Sequence, residues 1–131
     1  MINVDALYDA FALVFTFQTL MWLAIGVTIG VGVGAMPGLT ATTGVALMLP
    51  LTFTMDTAAA LGLLIGLYKG AIYGGSISAI SFATPGTSEA AATVFDGFKM
   101  MRSGKGRKAL LMALYSSVTA DFLSDVITVL I

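Results

Sequence analysis

The chain contains no cysteine and no histidine, a single tryptophan and three prolines. Without cysteine there is no disulfide and no thiolate nucleophile. Without histidine there is no imidazole base, and the usual zinc ligand sets cannot be assembled. With so few catalytic tools, neither an enzyme nor a cofactor protein is expected. Charge is scarce as well, at 10% of residues, where a soluble domain carries about a quarter. The net charge of -1 argues against a nucleic-acid partner. Most of the 131 residues are apolar: 58% are hydrophobic and the mean hydropathy is +0.99. The expectation is an all-α integral membrane protein, a single membrane domain over residues 1–131, with the lipid bilayer as its first partner.

The first positive charge is Lys69. A cleaved secretory signal needs a basic start, and the opening residues offer only Asp5 and Asp9, so the first apolar segment is expected to insert and stay. No charged residue occurs from Ala10 to Met55. As one helix that stretch would be about 69 Å long, against roughly 30 Å of hydrocarbon. It must therefore turn, and the signal is "AMPGLTATTG" from Ala35 to Gly44. Pro37 removes a helical donor and Gly38 permits a positive φ. This places a first span near residues 11–36 and a shorter segment near 40–54, bent by Pro50. The turn carries no charge. It is either a tight interfacial turn or a re-entrant or broken helix, since irregular backbone at membrane depth must be satisfied by protein or a wet cavity.

A third apolar run covers 57–83 and contains Lys69. A loop is expected over 84–108, with Glu89 and Asp96 against Lys99, Arg102, Lys105, Arg107 and Lys108, a local net charge of +3. By the positive-inside rule the stretch 99–108 is cytoplasmic and the N-terminus lies outside. A fourth run covers 109–131. In all, three to four transmembrane helices are expected, with segments broken at Pro-Gly or re-entrant.

Two glycine stripes recur every fourth residue: Gly26, Gly30, Gly34, and Gly62, Gly66, Gly70, Gly74, the latter continued by Ser78. Each is a face on which helix backbones approach closely. "GVGVGA", from Gly30 to Ala35, fits a loose dinucleotide pattern. It lies in an apolar run with no βαβ context, and nucleotide binding is set aside.

The polar residues of the apolar region concentrate in "LYKGAIYGGSISAISFATPGT", from Leu67 to Thr87. Pro85 should end one helix, and Thr87 or Ser88 should cap the next. Thr40, Thr42 and Thr43 crowd the helix start after Pro37-Gly38. Two helix N-termini after two Pro-Gly breaks would be two anion cradles, a device of secondary transporters. The candidate substrate-binding residues are Pro37, Gly38, Thr40, Thr42, Thr43, Lys69, Gly74, Gly75, Ser76, Ser78, Thr84, Pro85, Gly86 and Thr87. Lys69 is the costliest of them inside a membrane. It snorkels, neutralises Asp121 or Asp125, or faces an anionic solute. Asp121 and Asp125 share one face of the last helix, on a cation path or in water.

Three stretches resemble one family. They are "PGLTATTGVALMLPLTFTMD" (Pro37 to Asp56), "GLYKGAIYGGSISAISFATPGT" (Gly66 to Thr87) and "AATVFDGFKMMRSGKGRKAL" (Ala91 to Leu110). Together they look like the large membrane subunit of tripartite tricarboxylate transporters, the TctA family, over residues 23–115. The resemblance implies a bacterial inner-membrane, multi-pass carrier for tricarboxylates or related carboxylates. Its implied partners are a small membrane subunit and a periplasmic solute-binding protein, and its implied drive is an ion gradient of Na+ or H+. It also implies a longer subunit with two related halves, of which this chain would be the N-terminal portion. A second chain would then supply the other half. Lys69 stands where the family suggests an uncharged, often aromatic residue. Ser116 to Val126 is more acidic than expected. The competing reading is a small membrane protein that only packs against partners.

Overall fold

The computed structural model describes residues 4–130, with side chains from Tyr8 onward. Ile131, the expected end of the fourth run, lies outside them. The described residues are helical and contain no strand. The helices are α1 (Val4–Val14), α2 (Phe17–Ala35), α3 (Ala41–Thr52), α4 (Thr57–Phe82), the short α5 (Ala91–Thr93) and α6 (Gly106–Leu130). Wide helical turns at Val94–Phe98 and Met101–Lys105 link α5 to α6. Three helical stretches are long and apolar enough to cross a membrane: Phe17–Ala35, Thr57–Phe82 and Met101–Leu130.

The seam between α2 and α4 organises the rest. A methyl on Gly26, Gly30 or Gly34 would overlap the carbonyl oxygen of Leu63, Leu67 or Ala71 respectively. A methyl on Gly66, Gly70 or Gly74 would meet the carbonyls of Leu23, Val27 and Val31. Both series rise together, so the two helices run parallel. Each stripe lies against the other helix's backbone, an approach only glycine allows. Leu63, Leu67 and Ala71, set between the glycines, are completely buried.

Parallel neighbours require the chain to return between them, and α3 makes that return. Its N-terminal residues lie beside Tyr68 and Ile72, and Val45 lies beside Leu64 and Ile65, so α3 runs antiparallel to α4. With 12 residues it is about 18 Å long, only part of the bilayer. The α4 helix has 26 residues, about 39 Å, and serves as a depth ruler with its midpoint at Lys69–Gly70. α3 therefore begins near mid-depth. The chain breaks at Pro37-Gly38 and α3 starts beside the middle of α4, the arrangement the broken-helix alternative expects.

Four local expectations are corrected. The span 11–36 is not continuous: the chain breaks at Phe15–Thr16, where Thr16 is extended (φ -70, ψ 138). Hydroxyls cover the broken ladder, since Thr16 donates to the Ala12 carbonyl at 3.3 Å and Thr19 to the Leu13 carbonyl at 3.2 Å. Second, α4 ends before Pro85. Ala83 adopts the left-handed region (φ 57, ψ 19) and its N–H closes on the Ala79 carbonyl, a helix stop usually made with glycine. Third, neither Thr87 nor Ser88 caps a helix; the next helical residue is Ala91. Fourth, most of the expected loop 84–108 is helical from Ala91 on. Its break comes at Gly104, whose φ is +77.

The seam makes a paired prediction. Gly30→Ala forces a methyl into the Leu67 carbonyl, and overpacking of this kind costs about 1–3 kcal/mol. Gly32, two positions away in the same helix, has nothing within 4 Å of an added Cβ. Gly32→Ala should be neutral, or stabilising by up to about 1 kcal/mol. Thermal unfolding of both variants in the same detergent checks this, with a lower midpoint expected for Gly30→Ala alone.

Candidate functional site

The two Pro-Gly breaks come together. Gly38 takes φ +90, and the chain turns into α3 with Thr40 at its N-cap. The Thr40 hydroxyl accepts from the Thr43 N–H at 3.2 Å and lies 2.9 Å from the Thr43 hydroxyl. The Gly44 N–H closes on the Thr40 carbonyl. The first-turn donors left outside the helical ladder are therefore the N–H groups of Ala41 and Thr42.

From the other end of α4, residues 83–90 fold back along the helix. Gly86 rests on the Gly34 carbonyl, where a Cβ would overlap it. Ser78, fully buried, donates to the Gly75 carbonyl at 3.0 Å and reaches the Gly34 carbonyl at 3.5 Å. Thr87 is 5% exposed, and a Cβ on Gly75 would lie 2.8 Å from its hydroxyl oxygen. Gly74 and Gly75 thus have different tasks. The first admits α2, and the second admits the returning loop.

Between the breaks lies a pocket of about 140 Å³ lined by Thr40, Ala41, Thr42, Tyr68, Ile72, Thr87, Ser88 and Glu89. Tyr68 and Ile72 flank the midpoint of α4, so irregular backbone from both sides meets at membrane depth. Thr87 Oγ1 is fully buried and makes no hydrogen bond. An unsatisfied buried hydroxyl is costly, at about 1–3 kcal/mol. The exposed Glu89 carboxyl is held below the usual glutamate range, chiefly by its own backbone N–H and then by the Thr87 and Ser88 side chains.

Of the residues singled out in the sequence, Thr40, Thr42 and Thr87 line this pocket, and Gly75, Ser78 and Gly86 hold its walls. Pro37, Gly38, Thr43, Thr84 and Pro85 are exposed around it. Ser76 faces a different cavity, of about 360 Å³, with Thr93, Asp96, Ser116 and Ser117. Lys69 faces α6, where its ammonium donates to Asp121 and lies 3.5 Å from Asp125. Neutralisation by the aspartates is thus the one of its three readings that the geometry displays. Tyr68, Ser88 and Glu89 were not singled out as site residues. Glu89 had a visible signal, as an acid two residues after a Pro-Gly-Thr break.

Residues 20–131 match the tripartite tricarboxylate transporter TctA family. The chain belongs to that family. A protein of Agrobacterium vitis, called an uncharacterized 52.8 kDa protein in the TAR-I ttuC' 3'region, is 41% identical over 101 residues. The matched part is 77% of this chain and 20% of that protein, so the chain spans about a fifth of its relative's length. No solved structure matches. The part matched to TctA takes in the whole seam, both breaks and the charged cluster, and leaves out α1 and the first residues of α2.

The charged cluster of this TctA-family chain carries a prediction. Lys69→Met leaves two aspartates without their cation inside a span, where an uncompensated charge costs about 2.5–3.5 kcal/mol on insertion scales. The triple variant Lys69→Met, Asp121→Leu, Asp125→Leu removes all three charges and should be the more stable protein. Comparing the thermal midpoints of the two in one detergent checks the order.

Proposed function

We propose that this chain contributes half of a carboxylate-binding site to a tripartite tricarboxylate uptake carrier, at the pocket where the two Pro-Gly breaks meet. The observation that carries the proposal is the orphaned Thr87 hydroxyl, buried at the edge of a pocket that the N-terminal residues Ala41 and Thr42 of α3 also line. A carboxylate accepts hydrogen bonds and donates none. Three donors around one pocket, two of them at the positive end of a helix dipole, suit one such group once Thr87 turns its hydroxyl toward it. A pocket of about 140 Å³ is well below the roughly 300–1,000 Å³ of a small-molecule site. It holds one carboxylate arm of a tricarboxylate, and the rest of the solute needs a second wall. A second chain, or the other half of a longer subunit, supplies that wall.

The partners follow from the family: a small membrane subunit, a periplasmic solute-binding protein and the carboxylate solute. The carrier sits in the bacterial inner membrane with the basic stretch 99–108 on the cytoplasmic side, by the positive-inside rule. Na+ or H+ is the coupling ion, and Glu89 supplies negative charge for it beside the bound carboxylate. Pro37-Gly38 and Pro85-Gly86 serve as the turns that bring the donors in.

Losing a hydrogen bond to a charged group is worth roughly 1.5–3 kcal/mol, or about a 10- to 150-fold loss of affinity. Thr87→Val should produce that loss for a labelled citrate-like acid in uptake by the reconstituted carrier. Thr43→Val, whose hydroxyl only supports the cap, should cost about 1 kcal/mol of stability and leave affinity intact. Ser76→Ala, in the other cavity, should also leave affinity intact. Unchanged affinity in Thr87→Val at equal expression would make this hydroxyl part of the scaffold and place the anion elsewhere.

A further inference from the structure

From Glu89 to Lys108 the chain carries five basic residues against two acids. The inner side of the stretch between α5 and α6, with Thr93, Asp96, Gly97 and Met100, lines the cavity shared with Ser76. Glu89, the other acid of this region, lines the pocket between the breaks. Both carboxylates are exposed, and neither forms an ion pair among the described residues. Lys99, Arg102, Lys105, Arg107 and Lys108 are all exposed, and among the described residues none of them makes an ion pair. Arg107 and Lys108 also sit in the first turn of α6, at the positive end of its dipole, the least favourable place for a cation. The local excess of positive charge is therefore left without ion-pair partners among the described residues.

The same outer side carries aromatic surface. Phe95 is 80% exposed, and the Arg102 guanidinium lies 5.8 Å from the centroid of the Phe98 ring, in a cation–π arrangement. Gly97 packs on Ile80, which fixes the depth of the segment. Ile80 is about 16 Å along α4 from its midpoint, and half the hydrocarbon core is roughly 15 Å. The turn Val94–Phe98 therefore rests at the boundary between acyl chains and headgroups. An exposed Phe belongs in the apolar side of that boundary, and long basic side chains reach out of it.

We propose that the outer face of residues 94–108 is a binding surface for anionic phospholipid headgroups of the adjoining leaflet. Phe95 dips into the acyl boundary, and Lys99, Arg102 and Lys105 hold the phosphates. The proposal is independent of the carboxylate pocket, which lies on the opposite side of this segment and near mid-depth.

The chain's single tryptophan makes the test direct. Trp22→Phe with Phe95→Trp places the only indole on the proposed face. Trp22→Phe with Phe53→Trp places it at an equally exposed site past the end of α3. Each protein is reconstituted in phosphatidylcholine containing either brominated phosphatidylglycerol or brominated phosphatidylcholine, and quenching gives relative association constants. At about fivefold per basic residue, the Phe95 reporter should favour phosphatidylglycerol by at least tenfold. The Phe53 reporter should show no preference. Lys99→Gln, Arg102→Gln and Lys105→Gln together should bring the Phe95 reporter close to parity, a loss of up to about 100-fold. Equal quenching by the two lipids in the parent would overturn the proposal. So would displacement of the preference by millimolar citrate or inorganic phosphate, which would assign the face to soluble anions.

Discussion

The contact on which the rest depends is the seam where α2 and α4 lie parallel, each helix's glycines against the other's carbonyl oxygens. Its closeness is set by sterics, because a single methyl at Gly30 or Gly70 would collide with backbone that cannot move aside. Its parallel sense has a topological consequence. The chain leaves α2 on the side where α4 also ends, and it must return to start α4. The 12 residues of α3 cannot complete that return across roughly 30 Å. The remainder is made by the Pro37-Gly38 turn on one side, while residues 83–90 fill the space from the far end of α4. The irregular backbone this creates is partly satisfied by protein groups and partly left open around the pocket, and such backbone is tolerated at membrane depth where protein or a wet cavity meets it. Ser78, shared between the Gly34 and Gly75 carbonyls, shows how this is done.

Charge is sorted by the same depth scale. Lys69, at the centre of α4, is met by two aspartates of α6, because a lone ammonium there would be expensive. α6 exposes most of its length in this chain, so the cluster is also a polar tie that sets its rotation and height against α4. Glu89 and Asp96 are exposed at the rims of two cavities. The five basic residues that follow sit beyond the end of α4, outside the depth at which they would need partners. A sequence poor in charge has thus placed each charged group of the bundle at a level where it is paired, lines a cavity or reaches water.

The parts of this fold legible in the sequence were those carried by strong local patterns. The two glycine registers announced close helix contacts, and the Pro-Gly pairs announced breaks. Uncharged length announced spans, and the four-residue spacing of Asp121 and Asp125 put both on the face that meets Lys69. What escaped depended on tertiary context. The break at Thr16 follows no proline or glycine; the Thr16 and Thr19 hydroxyls donate to the carbonyls of Ala12 and Leu13 across it. The stop at Ala83 uses a left-handed alanine, which no propensity suggests. Thr87 reads as a helix cap by residue type, yet it is buried against Gly75 because Gly86 first docks on α2. Ser76 looked like part of one hydroxyl track with Ser78, but two residues along a helix is a rotation of about 200°, and Ser76 opens into another cavity. The pocket, unlike the breaks that frame it, is a product of the seam.

The central claim is that the two Pro-Gly breaks, distant in sequence, meet beside the middle of α4 in a single chain. Thr42 and Ser88 are both exposed residues lining the shared pocket, and the chain has no cysteine of its own. Thr42→Cys with Ser88→Cys, treated in membranes with a short thiol-to-thiol cross-linker, tests the claim most directly. The structure predicts an efficient cross-link within one chain, and none when Ser103→Cys replaces Ser88→Cys. Absence of the Thr42–Ser88 cross-link, or its formation only between separate chains, would contradict it.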